Sequence, residues 1–217
     1  MAQGASDPFC YDPGATEVDL MPTTAFLTRA NLESAFRALG LKARAADKIV
    51  EIAVYGGSAL VLTVPGRAAT KDVDAVVHHD PVWLREAVAA MAEEKGWPPD
   101  WLNDGVKGWL SHRDADPEAK HLFKTYPSED EPGLRVFVAS PHYLFAMKCM
   151  AMRIGGAGEF QDRYDIETLA GEIGIVTAEQ ALDIVAQYYP LSRISPKTQY
   201  GVEEIFSRLP GAGDPKS

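Results

Sequence analysis

The sequence predicts an α+β domain: a small mixed sheet flanked by helices, followed by a helical C-terminal part. Strand-length apolar runs at 52–55, 72–77, 121–126 and 134–140 are separated by segments of helical or irregular character. Everything after Pro141 reads as helix, with breaks at Gly155-Gly156 and Pro190. The 217 residues, 46% of them hydrophobic, suit one domain of ordinary size with a helical appendage. The expected division is a loosely attached arm over 1–22, a core over 23–140, a helical part over 141–210 and a short tail over 211–217.

Composition narrows the function classes. The net charge is -10 and the pI about 4.9. That argues against broad binding to a nucleic-acid backbone, which needs clustered Lys and Arg, but leaves room for a local basic patch or a basic partner protein. No apolar run approaches membrane-spanning length, and the start lacks a basic region followed by an apolar one, so no membrane span or secretory signal is expected. Cys10 and Cys149 are far apart in dissimilar settings. A disulfide between them is not expected, and the pattern suits a reducing cytoplasm.

The elements follow in order. Residues 24–48 carry Leu32, Phe36, Leu39 and Leu41 at helical spacing, with Thr28 or Asn31 able to cap; Gly40 is expected to end or kink this helix. An apolar strand at 52–55 runs into Gly56-Gly57-Ser58, and Pro65, Gly66 and Arg67 mark a loop before the next strand. His78-His79-Asp80 reads as a surface turn, since consecutive strand residues face opposite ways and cannot share one ion. Pro81 then opens a helix whose stripe is Leu84, Val88 and Met91. Trp97, Trp101 and Trp109 in the irregular stretch 96–117 are expected to pack as a cover, and Asn103-Asp104-Gly105 to turn. The strands at 121–126 and 134–140 bracket an acidic, solvated hairpin tip. A helix over 141–154 follows, its stripe Leu144, Met147 and Ala151, with Lys148 and Arg153 departing from it. In the next helix, near 160–173, Asp162 and Asp165 share a face and Ile166, Leu169 and Ile173 are buried. Thr177 and Gln180 form a capping box for the first of two further helices.

Chemistry concentrates in 52–77. Asp72 and Asp74 stand at i and i+2 on a strand, so both project from one face while Val73 points into the opposite layer. Two carboxylates held this close repel, and a cation between them is the usual remedy; Mg²⁺ with substrate phosphates completing its shell fits. The paired glycines allow a backbone to approach phosphate oxygens, and helix-start N–H groups at Ser58 and beyond can receive them. Taken alone, an Asp-x-Asp is more often two solvated residues on an edge strand.

The run Gly56, Gly57, Ser58, Ala59, Leu60, then Arg67, then Thr70-Lys71-Asp72-Val73-Asp74, resembles the nucleotidyltransferase superfamily that includes DNA polymerase beta-type enzymes. Within it the chain looks most like the small bacterial abortive-infection (AbiEii-type) toxin nucleotidyltransferases. Lys148, Arg153, Asp162 and Asp165, read as K-x4-R with a following D-R-Y-D-I, extend the resemblance to about residues 48–175. It implies a nucleotidyltransferase fold and transfer of a nucleoside monophosphate from an NTP to a hydroxyl of tRNA, another RNA or a protein, with a cognate antitoxin as partner. Asp72 and Asp74 would hold Mg²⁺. Gly56, Gly57, Ser58, Arg67, Lys71 and Lys148 would bind the nucleotide, with Lys148 on triphosphate oxygens. Asp165, or Asp162 beside it, would orient the acceptor or complete the site electrostatically. The chain departs from the superfamily at one point: the strand 134–140 has no third carboxylate, leaving Asp104, Asp162 or Asp165 as substitutes.

That gap keeps two rivals in view, a catalytically silent binding module or antitoxin-like partner and a transferase acting on a small molecule. Other chemistries fail on spacing. There is no G-x4-G-K-[ST] loop, no G-x-G-x-x-G, no G-x-S-x-G elbow and no zinc-ligand arrangement of Cys and His.

Overall fold

The computed structural model describes residues 26–156 and 158–208. The expected arm, the expected tail and Cys10 lie outside the described residues. The chain enters at a two-residue strand, β1 (Leu27–Thr28), and Thr28 caps the first helix, α1 (Arg29–Ala45), by accepting from the Asn31 N–H. Leu32, Phe36, Leu39 and Ala43 are buried, whereas Leu41 is exposed. Two residues beyond Leu39 a helix has turned through some 200°, which carries Leu41 to the solvent side. Gly40 does not end α1, which runs on to Ala45. A Cβ at Gly40 would lie 2.6 Å from the Tyr126 carbonyl oxygen, and one at Gly133 would lie 2.0 Å from the Gly40 carbonyl oxygen. These glycines let the helix backbone rest directly against a hairpin, so Gly40 serves packing rather than termination.

The sheet then builds around β2 (Val50–Val54). After it come α2 (Gly56–Thr63), β3 (Ala69–Thr70), β4 (Val73–Val77), α3 (Pro81–Lys95), β5 (Leu102–Asn103), a 3₁₀ turn over Gly105–Trp109, β6 (Lys120–Pro127) and β7 (Pro132–Ala139). The five-stranded sheet has the order β5-β4-β2-β7-β6, while β1 and β3 pair separately. β2 runs antiparallel to β4 and parallel to β7, β4 is parallel to β5, and β6 and β7 form an antiparallel hairpin. Ile52, Ala53 and Val54 are fully buried, as expected for a central strand written as a nearly continuous apolar run. α1 lies across β6 and β7. At the turn after β4, Asp80 takes a left-handed backbone and its side chain caps α3, with Pro81 at the first helical position. Trp101 is buried, donates its indole N–H to the Val88 carbonyl and meets the Trp97 ring edge-on. Asn103 ends an edge strand as well as opening the expected turn, which its side chain closes by accepting from the Gly105 N–H.

The rest is helical: α4 (Pro141–Ala151), α5 (Glu159–Ile173), α6 (Ala178–Tyr188) and α7 (Pro196–Ser207). α4 packs against α5, α6 and α7, so Tyr143, Leu144, Phe145, Ala146, Met147 and Cys149 are all buried rather than one stripe. Burial pushes the Cys149 thiol far above its usual range. α4 stops at Ala151, short of the glycines, because the Arg153 main-chain N–H turns to the Asp162 carboxylate at 3.1 Å. The Thr177–Gln180 capping box opens α6. Among the described residues no helix is long and apolar enough to cross a membrane.

Candidate active site

The junction of β2 and α2 is built for close approach. Gly56 has φ +57, and a Cβ there would sit 2.7 Å from the Asp74 Oδ2. Only glycine supplies that backbone and leaves the carboxylate in place. A Cβ on Gly57 would sit 2.9 Å from the Thr70 Oγ1. Ser58 is buried, and its hydroxyl donates to the Tyr55 carbonyl at 2.9 Å, so its side chain serves the helix start and not the cleft. The Ala59 N–H is already taken by the Tyr55 carbonyl at 3.1 Å. What α2 can offer an anion is therefore the first-turn N–H groups of Gly57 and Ser58, which have no intrahelical partner.

Asp72, at the entry to β4, and Asp74 within it open into a cleft of about 380 Å³ that Gly56, Gly57, Asn103 and Lys148 also line. Val73 between them is fully buried, as strand alternation requires. Burial and the neighbouring Asp72 charge push the Asp74 carboxyl up to about 6, against the opposing pull of Lys148. Asp72 accepts a hydrogen bond from the Asn103 Nδ2 at 3.1 Å, and the Asn103 Oδ1 accepts from the Gly105 N–H at 2.8 Å. Among the described residues no Lys or Arg forms an ion pair with either aspartate. The pair therefore carries negative charge that the protein does not neutralise. No further His, Cys, Asp or Glu groups with them as a ready ligand set among the described residues. Two carboxylates with room for water and phosphate suit Mg²⁺, which keeps much of its shell outside the protein.

Lys148 reaches this cleft from α4, but its charge is met from α5 and not by Asp72 and Asp74. Its Nζ lies 2.7 Å from the Asp165 Oδ2 and 3.8 Å from the Asp162 Oδ1. The Arg67 Nε stands 3.3 Å from the Asp165 Oδ1, which also accepts from the Gln161 Nε2 at 2.9 Å. Neither the Lys148 nor the Arg67 contact to Asp165 has the alignment of a hydrogen bond; both act as charge pairs. Asp162 is gripped by the Arg153 fork at 2.7 and 3.0 Å. Burial raises the Asp162 carboxyl, but the Arg153 hydrogen bonds and the Lys148 charge outweigh it, leaving the group below the ordinary carboxylate value.

The residues expected at the site thus separate. Gly56, Gly57, Asp72, Asp74 and Lys148 meet at one cleft, and Asp162 borders it. Asp165 is 1% exposed and lies beneath, where it holds Lys148 and Arg67 and is out of an acceptor's reach. Arg67 runs beside the Gly57 backbone. Lys71 is exposed and does not line the cleft. Of the substitutes for a third carboxylate, Asp104 pairs with Lys107 on a separate groove, and Asp162 is occupied by Arg153 and Lys148. Sequence reasoning missed Asn103 and Trp109. Asn103 pairs in register with Asp74 across β4 and β5. Trp109, expected to pack as a cover, lines the cleft.

No family model matches the chain, and no curated protein matches it. Among solved structures, the chain is similar to an antigenic nucleotidyltransferase-like protein from Paracoccidioides brasiliensis. The identity is 16% and the TM-score 0.41, over 81% of this chain and 95% of that one. A likeness of that size leaves the chemistry to be read from the cleft itself.

Proposed function

We propose that the protein is a Mg²⁺-dependent nucleotidyltransferase that moves a nucleoside monophosphate from an NTP to a hydroxyl acceptor. The observation that carries this reading is the Asp72–Asp74 pair, left without a cationic side chain and sharing a cleft with the α2 start and Lys148. In the transfer, the acceptor oxygen forms a bond to the α-phosphorus as the α–β phosphoanhydride bond breaks. Pyrophosphate leaves with the electron pair, and the hydroxyl proton passes to water. Mg²⁺ held by Asp72 and Asp74 would supply charge neutralisation at the phosphates. The chain's own residues position and stabilise. The Gly57 and Ser58 N–H groups receive β/γ-phosphate oxygens, and Lys148 offers a compact positive charge to the leaving pyrophosphate. Arg67 and Lys148 are both held in place by the buried Asp165, which makes Asp165 a positioning residue.

Resemblance in sequence, through the 56–74 run and the K-x4-R/D-R-Y-D-I pair, supports the finer reading. By it the protein is the cytoplasmic toxin of a toxin–antitoxin pair, acting on tRNA, another RNA or a protein. The engagement of Asp162 by Arg153 and Lys148, which leaves no free third carboxylate at the cleft among the described residues, favours a second reading as a silent binding module. Labelling of cellular RNA and protein from each NTP, by the wild type and by Asp72→Ala/Asp74→Ala, separates them. Label that depends on both aspartates and on Mg²⁺ supports transfer. Equal label in both proteins, or none in either, refutes it.

A further inference from the structure

The cleft has two chemistries. Beside the polar half runs an apolar wall made by Val106 and Trp109 of the 3₁₀ turn and by Leu144, Met147 and Ala151 of α4. Trp109 is 42% exposed, whereas Trp101 is buried in the core and Trp97 packs against it. An exposed indole is ordinary on a mobile loop, but this loop is tied down on both sides of the ring. The Trp109 carbonyl accepts from the buried Tyr189 hydroxyl at 2.5 Å. Arg193 donates to the Gly108 and Leu110 carbonyls at 3.0 and 3.3 Å, and the Ser111 N–H donates to the Tyr143 hydroxyl at 2.7 Å. A flat aromatic side chain is thus presented to the cleft on a fixed support, without a partner in the core.

We infer that Trp109 is the stacking platform for the nucleobase of the bound NTP, and that the cleft selects purines over pyrimidines without separating adenine from guanine. The inference rests on the nucleotidyltransferase reading and adds its substrate preference. The two halves match the two ends of a nucleotide, anionic phosphates at Gly57, Ser58 and Lys148 and a planar ring at Trp109. Stacking is tolerant of base identity but grows with ring area. Reading of base edges needs free polar groups, and the wall offers little. Val106, Leu144, Met147 and Ala151 have no side-chain donors or strong acceptors. Asn103, at the border of the two halves, spends its Nδ2 on Asp72 and the Asp100 carbonyl and its Oδ1 on the Gly105 N–H.

The test is equilibrium binding of the four Mg²⁺-NTPs and of Mg²⁺-tripolyphosphate, a base-free probe, to wild type, Trp109→Ala and Trp109→Phe. Thermal unfolding of each variant checks that it is folded. Wild type should bind ATP and GTP within a few-fold of each other, and both more tightly than CTP, UTP or tripolyphosphate. Trp109→Ala should weaken ATP and GTP about 5- to 150-fold, the span of one base–aromatic stack, and leave tripolyphosphate unchanged. Trp109→Phe should keep most of the affinity. Tripolyphosphate bound as tightly as ATP, or ATP affinity unaltered in Trp109→Ala, overturns the inference while the transferase reading stands. A Trp109→Ala protein with normal NTP affinity and a raised KM for the acceptor assigns the ring to the acceptor and likewise overturns it. Failure of wild type to bind any of these ligands removes the transferase reading and the inference together.

Discussion

Replacing Asp74 with asparagine should stabilise the metal-free protein, and the gain should grow with pH. The folded protein raises the Asp74 carboxyl from 3.8 to about 6, through burial and then the Asp72 charge. A folded-state pKa above the unfolded one means that the proton binds the native state more tightly. The stabilisation this proton gives is fully present below about pH 4 and is lost as pH rises through about 6. Above that, wild type folds with a half-buried, unneutralised carboxylate that asparagine lacks. A shift of about two units corresponds to about 3 kcal/mol at most, and solvent reaching the open cleft reduces it to about 1–2 kcal/mol. For a chain of this length that is about 2–8 °C in Tm at pH 8, shrinking to about a third of the value by pH 4.5. Thermal unfolding of wild type and Asp74→Asn in chelator, across pH 4.5 to 8, reads this directly. Adding Mg²⁺ at pH 8 should then raise the wild-type Tm and leave Asp74→Asn nearly unmoved. A variant less stable than wild type at pH 8, or a difference that ignores pH, would show that the carboxylate holds the fold together and awaits no cation.

Three further outcomes follow from the geometry. Lys148→Met should cost about 2–3 kcal/mol in urea unfolding, because the buried Asp165 loses its 2.7 Å partner and keeps only Arg67 and Gln161. Adding Asp165→Asn should restore much of that stability but no transfer, and failure to restore it would deny that the pair is coupled. Gly56→Ala should cost about 1–2 kcal/mol for its left-handed backbone and, by crowding the Asp74 Oδ2, abolish the Mg²⁺-dependent rise in Tm; a retained rise refutes the contact. Gly40→Ala should lower the free energy of unfolding in urea by about 1–3 kcal/mol through its clash with the Tyr126 carbonyl, while labelling per folded molecule stays at the wild-type level.

Much of the cleft was legible because its key residues sit in short local patterns. An aspartate pair at i and i+2 must share a face, and a strand ending in Gly-Gly must turn tightly, whatever the rest of the fold does. Lys148 and Asp165 were legible as candidate site residues on successive helices, but their pairing with each other was not. That pairing depends on how α4 and α5 pack. Gly40 was misread because its reason lies in the Tyr126 backbone, 86 residues away in the chain. Asn103 and Trp109 escaped notice for a related cause. A two-residue strand has no periodicity to detect, and the role of Trp109 depends on a loop fixed by Tyr189 and Arg193 from the far end of the chain.

The pairing of β2 sets the order in which this molecule can come together during synthesis. One edge of β2 is met soon after it leaves the ribosome, by β4 at 73–77, but the other waits for β7 at 134–138. At about 5–20 residues per second, the translation gap between Val77 and Leu134 lasts roughly three to eleven seconds. Throughout it the open edge of β2, apolar except at Glu51, is a template for pairing with another nascent chain. α1, already made, has no hairpin to rest on in that interval, because its seat at Tyr126 and Gly133 has not yet been translated. The aspartates are in place before that gap, Lys148 and Asp165 only after it. A chain released between the two would carry the acidic half of the cleft beside an unpaired sheet, and insoluble aggregate is the expected fate of truncations ending near residue 130.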